Sequence, residues 1–187
     1  MVLDVSVPGP YISPKRRMDT SQPNFSKERR RFSVSISIFA SSGNDGYCDG
    51  TGAPACVSNV ISVGAVYDAN IGPVNFANCS DSSTSPDLVT CYSNSAGFLD
   101  IFAAGNNAYT TDIVGTGGYA TGDYIPYFGG TSAACPYAAG AAACLQSAAK
   151  AINGVFLTPS EIRSLLTGNG DPITDAKCGN GGITKPR

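Results

Sequence analysis

Gly129-Gly130-Thr131-Ser132-Ala133-Ala134-Cys135-Pro136-Tyr137-Ala138-Ala139-Gly140 is the stretch whose reading decides the fold. A serine follows two glycines and a threonine and opens a run dominated by alanine, almost without charge, that continues to about residue 149. Alanine favours the helical backbone and small side chains let a neighbour come close, so residues 132–149 read as a helix buried on most sides. The glycines permit a sharp turn and leave room for another molecule at the helix start. Backbone N–H groups and the positive end of the helix dipole suit a developing negative charge there. Pro136 falls in the opening turns, where a missing N–H costs least. Taken alone, a Gly-Thr-Ser in this place reads as a helix cap.

Outward from that helix the chain is punctuated by short apolar strands. Residues 33–40 (SVSISIFA) alternate polar and apolar and are rich in β-branched side chains, which predicts a strand. Residues 58–66 (SNVISVGAV) predict a second, and the apolar run from Leu99 to Ala104 a third. Turn-rich loops separate them, at 43–54, 68–94 and 105–122. The glycine-rich piece Gly115 to Gly122 lacks a preceding strand and a βαβ frame, so it reads as a hairpin loop leading to Ser132 and not as a phosphate cradle. A second helix starts at Thr158-Pro159-Ser160-Glu161: threonine as cap, proline at the first helical position, glutamate completing a capping box, with an end near Thr167-Gly168. Strands mixed with a buried helix predict a layered α/β domain.

The composition narrows the function classes. The 187 residues suffice for one globular domain, and a charged fraction of 14% with 22 glycines describes a loop-rich, tightly packed chain. No run approaches the ~20 apolar residues of a membrane span, and no signal-peptide pattern opens the sequence. Residues 1–32 hold seven of the twelve cations against three acids, and the remainder is acidic. This basic arm reads as a solvated segment and not as a nucleic-acid or membrane contact. Seven cysteines stand at 48, 56, 79, 91, 135, 144 and 178. Cys48 and Cys56 bracket one polar loop and Cys79 and Cys91 another, which predicts two disulfides and an oxidising, extracytoplasmic setting. With no CxxC and no histidine a zinc site is not expected, and no metal ligands are assigned. Cys135 and Cys144 fall roughly 13 Å apart along the helix, too far to pair. Cys178 is expected to stand without a partner, the count being odd.

The Gly130-Thr131-Ser132, Ala134, Pro136, Ala139 and Gly140 pattern resembles the nucleophile motif of the subtilases, the subtilisin-like serine proteases. Cys135 and Tyr137 depart from residues common there, without removing a catalytic group. Phe39-Ala40-Ser41-Ser42-Gly43-Asn44-Asp45-Gly46 resembles that family's strand and turn ending in Ala-Gly-Asn, Val60 to Val66 its next strand, and Ser95 to Gly105 its Asp-containing strand, with Ala104 in place of proline. The order of the blocks agrees. The resemblance runs over about residues 33–167, is faint over 4–13, where Pro8 replaces a glycine, and is absent over 14–32.

The resemblance implies a mostly parallel sheet with helices on both faces, incomplete in this chain, of which 33–187 is the C-terminal part of the peptidase domain. Residues 1–32 are then a faint substrate-edge strand, carrying Ser6, plus a divergent basic segment. It implies peptide-bond hydrolysis by acyl transfer, with Ser132 as nucleophile and Asn44 donating to the oxyanion. Ser41, Ser42 and Gly43, with Ser6, Gly130 and Thr131, would touch a protein or peptide substrate. Calcium is the one cofactor the resemblance allows. Subtilases use aspartate, histidine and serine in that order. This chain has no histidine, so the expectation is a fragment lacking the catalytic Asp and His, inactive alone, whose partner is the missing N-terminal half of the same domain. The competing expectation is a non-catalytic, peptide-binding scaffold.

Overall fold

The computed structural model describes residues 2–5, 36–179 and 181–187. In chain order the strands are β1 (Val2–Val5), β2 (Ser37–Ser41), β3 (Ile61–Val66), β4 (Val74–Asn75), β5 (Ser80–Asp81), β6 (Ile101–Ala104), β7 (Ala108–Thr111) and β8 (Tyr124–Phe128). Helices α1 (Thr131–Asn153) and α2 (Pro159–Asn169) follow, then β9 (Pro172–Asp175), a 3₁₀ turn over Ala176–Cys178, and β10 (Ile183–Pro186). Strands β1, β2, β3 and β6 form one sheet in that order, every pair parallel. Parallel neighbours need long connections, and residues 42–60 and 67–100 supply them. The other strands pair antiparallel in three two-stranded ribbons.

Every residue of β3 is buried, because this strand is covered on both faces. Phe39, Ile61, Val63 and Ile101 face the helices, joined by Ala134, Cys135, Ala138 and Ala142 of α1 and Ile162 of α2. Alanines at 134, 138 and 142 recur every fourth residue, so one face of α1 is nearly flat and lies close on the strands. On the opposite side Val66 and Phe102 meet Val89, Leu99 and Ile173, and Ala40 meets Ala55 and Val60. Both described helices therefore bear on one face, while loop and β9 residues cover the other.

The boundaries follow local chemistry. Helix α2 has the complete capping box: the Thr158 hydroxyl accepts from Glu161 N, and the Glu161 carboxylate accepts from Thr158 N at 2.7 Å. Helix α1 stops at Gly154, whose φ of 74° most other residues resist. Residues 33–35 of the first expected strand, Ser6 and the rest of 6–35 lie outside the described residues.

The disulfide pattern corrects one expectation and agrees with another. Cys79 and Cys91 are bonded, and they close the short segment that begins with β5. Cys48 is bonded to Cys178 and not to Cys56, with their Cα atoms 5.0 Å apart although 130 residues separate them in sequence. The 3₁₀ turn after β9 carries Cys178 back beside the 44–48 loop, so Cys178 has a partner after all. Cys56 instead turns inward and is 4% exposed. Cys135 and Cys144 are outside either bond, the first buried and the second exposed.

One polar link joins α2 to the sheet. The Arg163 guanidinium donates to Ser58 O at 2.7 Å, to Val60 O, and to Asp100 Oδ2 at 2.9 Å. The same carboxylate oxygen accepts from Ser62 N and from the Ser62 hydroxyl. Asp100 is only 10% exposed, so removing its cation leaves a poorly solvated charge. Arg163→Ala is expected to cost about 2–3 kcal/mol, read as a lower urea midpoint with unchanged slope. A midpoint equal to that of the parent would refute this.

Candidate active site

The carboxyl ends of the parallel strands meet the start of α1, the usual place for a site in an open α/β sheet. Beyond β2 the pairing continues one step, Ser42 N donating to Val63 O at 2.9 Å. The chain then turns at Gly43, whose φ is +104°; a Cβ there would stand 2.4 Å from Asn94 Nδ2. Gly43 N donates to Thr131 Oγ1 at 3.2 Å. Asn44, the next residue, is exposed.

Asn44 is held by its oxygen. Its Oδ1 accepts from Thr131 N at 2.8 Å and from Thr131 Oγ1 at 2.9 Å. Only the carbonyl end of the amide can accept these bonds, so the NH₂ end is the one not engaged with Thr131. Its backbone oxygen is also fixed, accepting from Asn78 Nδ2 at 2.9 Å. Gly130, with φ of +97°, passes directly beneath: a Cβ on it would meet Asn44 Nδ2 at 3.0 Å.

Ser132 is the second residue of α1 and is partly exposed. Its N–H belongs to the first turn, whose N–H groups have no acceptor within their own helix. One residue earlier, Thr131 N–H is already taken by Asn44. Asn44 is thereby tied to the first residue of a 23-residue helix, at its positive end, and Ser132 is the residue that follows.

A second layer fixes the turn into α1. Gly130 N donates to Gly105 O at 2.8 Å and lies 3.3 Å from the Tyr92 hydroxyl, which itself donates to Gly105 O at 2.7 Å. Burial pushes the Tyr92 phenol above its ordinary pKa, which keeps it a neutral donor. Beside the opening turns of α1 lies a cavity of about 250 Å³, lined by Tyr109, Phe128, Ala133, Pro136 and Tyr137 among others. Among the described residues no three His, Cys, Asp or Glu side chains gather as metal ligands.

Ser132, Asn44, Gly43, Gly130 and Thr131 thus come together from positions nearly ninety residues apart. Ser41 is half-buried at the end of β2. Ser42 is fully buried, and its carbonyl is occupied by Gly52 N and Asn94 Nδ2. Ser6 lies outside the described residues. Sequence reasoning missed Tyr92 and Asn94, which support the site from a loop read only as turn-rich; nothing in their spacing to Asn44 or Ser132 signals the contact.

No curated protein sequence matches this chain. Among solved structures, the self-cleaved protease domain of PatA superposes with a TM-score of 0.63 at 23% identity, covering 97% of this chain and 57% of that one. The prenylagaramide maturation protease PagA gives 0.61 at 20% identity, covering 91% and 52%. A lanthipeptide protease gives 0.63 at 19%, covering 90% and 53%. The chain therefore spans about half the length of the structures it resembles, and these likenesses establish the subtilisin-like fold. The family model described as the subtilase family, of S8 peptidases, matches residues 7–181. With that match over most of its length, the chain belongs to the subtilase family.

Proposed function

We propose that this chain is the nucleophile-bearing part of a serine endopeptidase. Ser132 Oγ attacks the carbonyl carbon of a peptide bond, and the carbonyl oxygen becomes an oxyanion that takes hydrogen bonds from Asn44 Nδ2 and Ser132 N. A base from outside this sequence takes the Ser132 Oγ proton and gives it to the leaving amine as the intermediate collapses, which leaves an acyl-serine that water hydrolyses. The observation that carries this reading is the Asn44 amide anchored through its oxygen on Thr131, because such an anchor presets the opposite end as a donor before charge develops. Gly43, Ser41 and Gly130 would border the substrate, and the cavity beside Tyr109 and Tyr137 offers apolar surface to an adjacent side chain.

The serine hydroxyl needs a base, and these 187 residues contain no histidine. The imidazole and its orienting aspartate must then come from polypeptide other than this sequence, as the N-terminal half of the same domain would supply. Calcium stays a proposal from family likeness alone. Two disulfides fit an oxidising, extracytoplasmic location. The missing histidine equally favours a second reading, a scaffold that binds peptides without cleaving them.

A fluorophosphonate probe tests the assignment. The chain alone is expected to remain unlabelled. The same chain joined behind the Asp- and His-bearing segment of a relative should label stoichiometrically at Ser132. Labelling of the chain alone would show that another group acts as base. Failure of the folded, joined protein to label would favour the scaffold.

A further inference from the structure

We infer that Asn94 is a positioning residue for the oxyanion donor Asn44; the inference rests on the protease reading and deepens it. Asn94 is fully buried, yet it is a polar side chain in a sheet-end loop. All four hydrogen-bonding positions of its amide are directed at one target. Its Oδ1 accepts from Asp45 N and from Tyr47 N, each at 3.0 Å. Its Nδ2 donates to Ser42 O and to Asp45 Oδ2, each at 3.1 Å. Its own backbone N donates to Gly43 O at 3.0 Å. Residues 42, 43, 45 and 47 are thus gripped on both sides of residue 44, while Asn44 itself bonds to Thr131 and Asn78.

An amide that satisfies every one of its valences on a single short turn defines that turn's shape. Gly43 takes a backbone geometry with φ of +104°, and Asp45 and Tyr47 lie near the surface. Backbone bonds from Gly46 N to Tyr92 O and from Ser95 N to Tyr47 O hold the two loops together, and the Asn94 amide is the group that bridges residue 44 from one side to the other. Asn94 touches neither Ser132 nor Thr131 by any hydrogen bond described, so its effect on chemistry passes through the 42–47 turn, which meets Thr131 through Asn44 Oδ1 and Gly43 N. An oxyanion donor displaced by even a fraction of an ångström loses part of its transition-state advantage.

Two measurements test this. The first is hydrogen exchange in the 187-residue chain. Thr131 N–H is a first-turn amide protected by Asn44 Oδ1, so Asn94→Ala should speed its exchange at least about tenfold. Ile162 N–H, bonded to Thr158 O in α2, should keep its rate. Unchanged protection at Thr131 would overturn the inference. Equal acceleration at Ile162 would do so too, by showing general loosening. Asn94→Ser, which keeps a hydroxyl in the site, replaces the alanine variant should that one fail to fold.

The second is a mutant cycle in the protein joined to an Asp- and His-bearing segment. Asn94→Ala should lower kcat by roughly 10–100-fold with KM changed less than about twofold. In an Asn44→Ala background the same change should cost less than about threefold, because the group it positions is gone. Equal losses in both backgrounds would overturn the inference and assign Asn94 a purely structural role. If the joined protein shows no Ser132-dependent cleavage, the protease reading fails, and the exchange experiment still decides whether Asn94 sets the position of Asn44.

Discussion

Ser132→Ala, in a protein where this chain is joined to the histidine it lacks, is expected to reduce peptide-bond cleavage by about 10⁶ in kcat, the size of the loss known for subtilisin, a relative of this chain. Acyl transfer needs a nucleophile at the attack position, and alanine has none. Water could still be activated near the oxyanion donors, so a small residual above the uncatalysed rate is expected. The substitution removes one hydroxyl from a partly exposed first-turn residue with Ala133 and Ala134 beside it, so stability should hardly change. Rate loss without a shift in melting temperature is therefore the expected pattern. A variant that keeps a substantial fraction of its activity would exclude Ser132 as nucleophile.

Asn44→Ala carries the second large effect. The lost donor acts where negative charge accumulates, in the tetrahedral transition state, and contributes little to the ground-state complex. A fall of roughly 10²–10³ in kcat with KM nearly unchanged is expected; this magnitude too is known from subtilisin and is borrowed from it. The side chain also accepts from Thr131 N and Oγ1, so alanine uncovers two donors at the start of α1. Asn44→Asp separates the two roles. It keeps an acceptor for Thr131 but brings no NH₂ and places negative charge where the oxyanion forms, so its kcat should fall at least as far as that of the alanine variant. Recovery of activity in Asn44→Asp would mean that the residue serves only to cap α1.

Most of the scaffold could be read from local chemistry. Residues 58–66, with Val60, Ile61, Val63 and Val66, signalled β3, and the alanines after Ser132 signalled the buried helix. The Thr158-Pro159-Ser160-Glu161 cap was legible because its hydrogen bonds span only three residues. Ser132 and Asn44 were accessible through motif resemblance, since each sits in its own recognisable block. What escaped is what the fold joins at long range. Cys48 finds Cys178 across 130 residues, and no spacing rule favours that pair over Cys56. Asn94 reaches the loop before it across about fifty residues, and in the sequence it is one polar residue in a polar loop. Tyr92 likewise becomes informative only once Gly105 and Gly130 converge on its hydroxyl.

The most direct test of the central claim measures cleavage and binding on the same molecule. The chain, fused behind the Asp- and His-containing segment of a relative and shown to be folded, is given an unstructured protein substrate. Peptide binding is followed in parallel. The protease account predicts endopeptidase turnover that rises with pH through the imidazole range near ~6.5, since only the neutral ring accepts the serine proton, and that vanishes in Ser132→Ala. A folded fusion that binds peptide but shows no Ser132-dependent cleavage at any pH would contradict it.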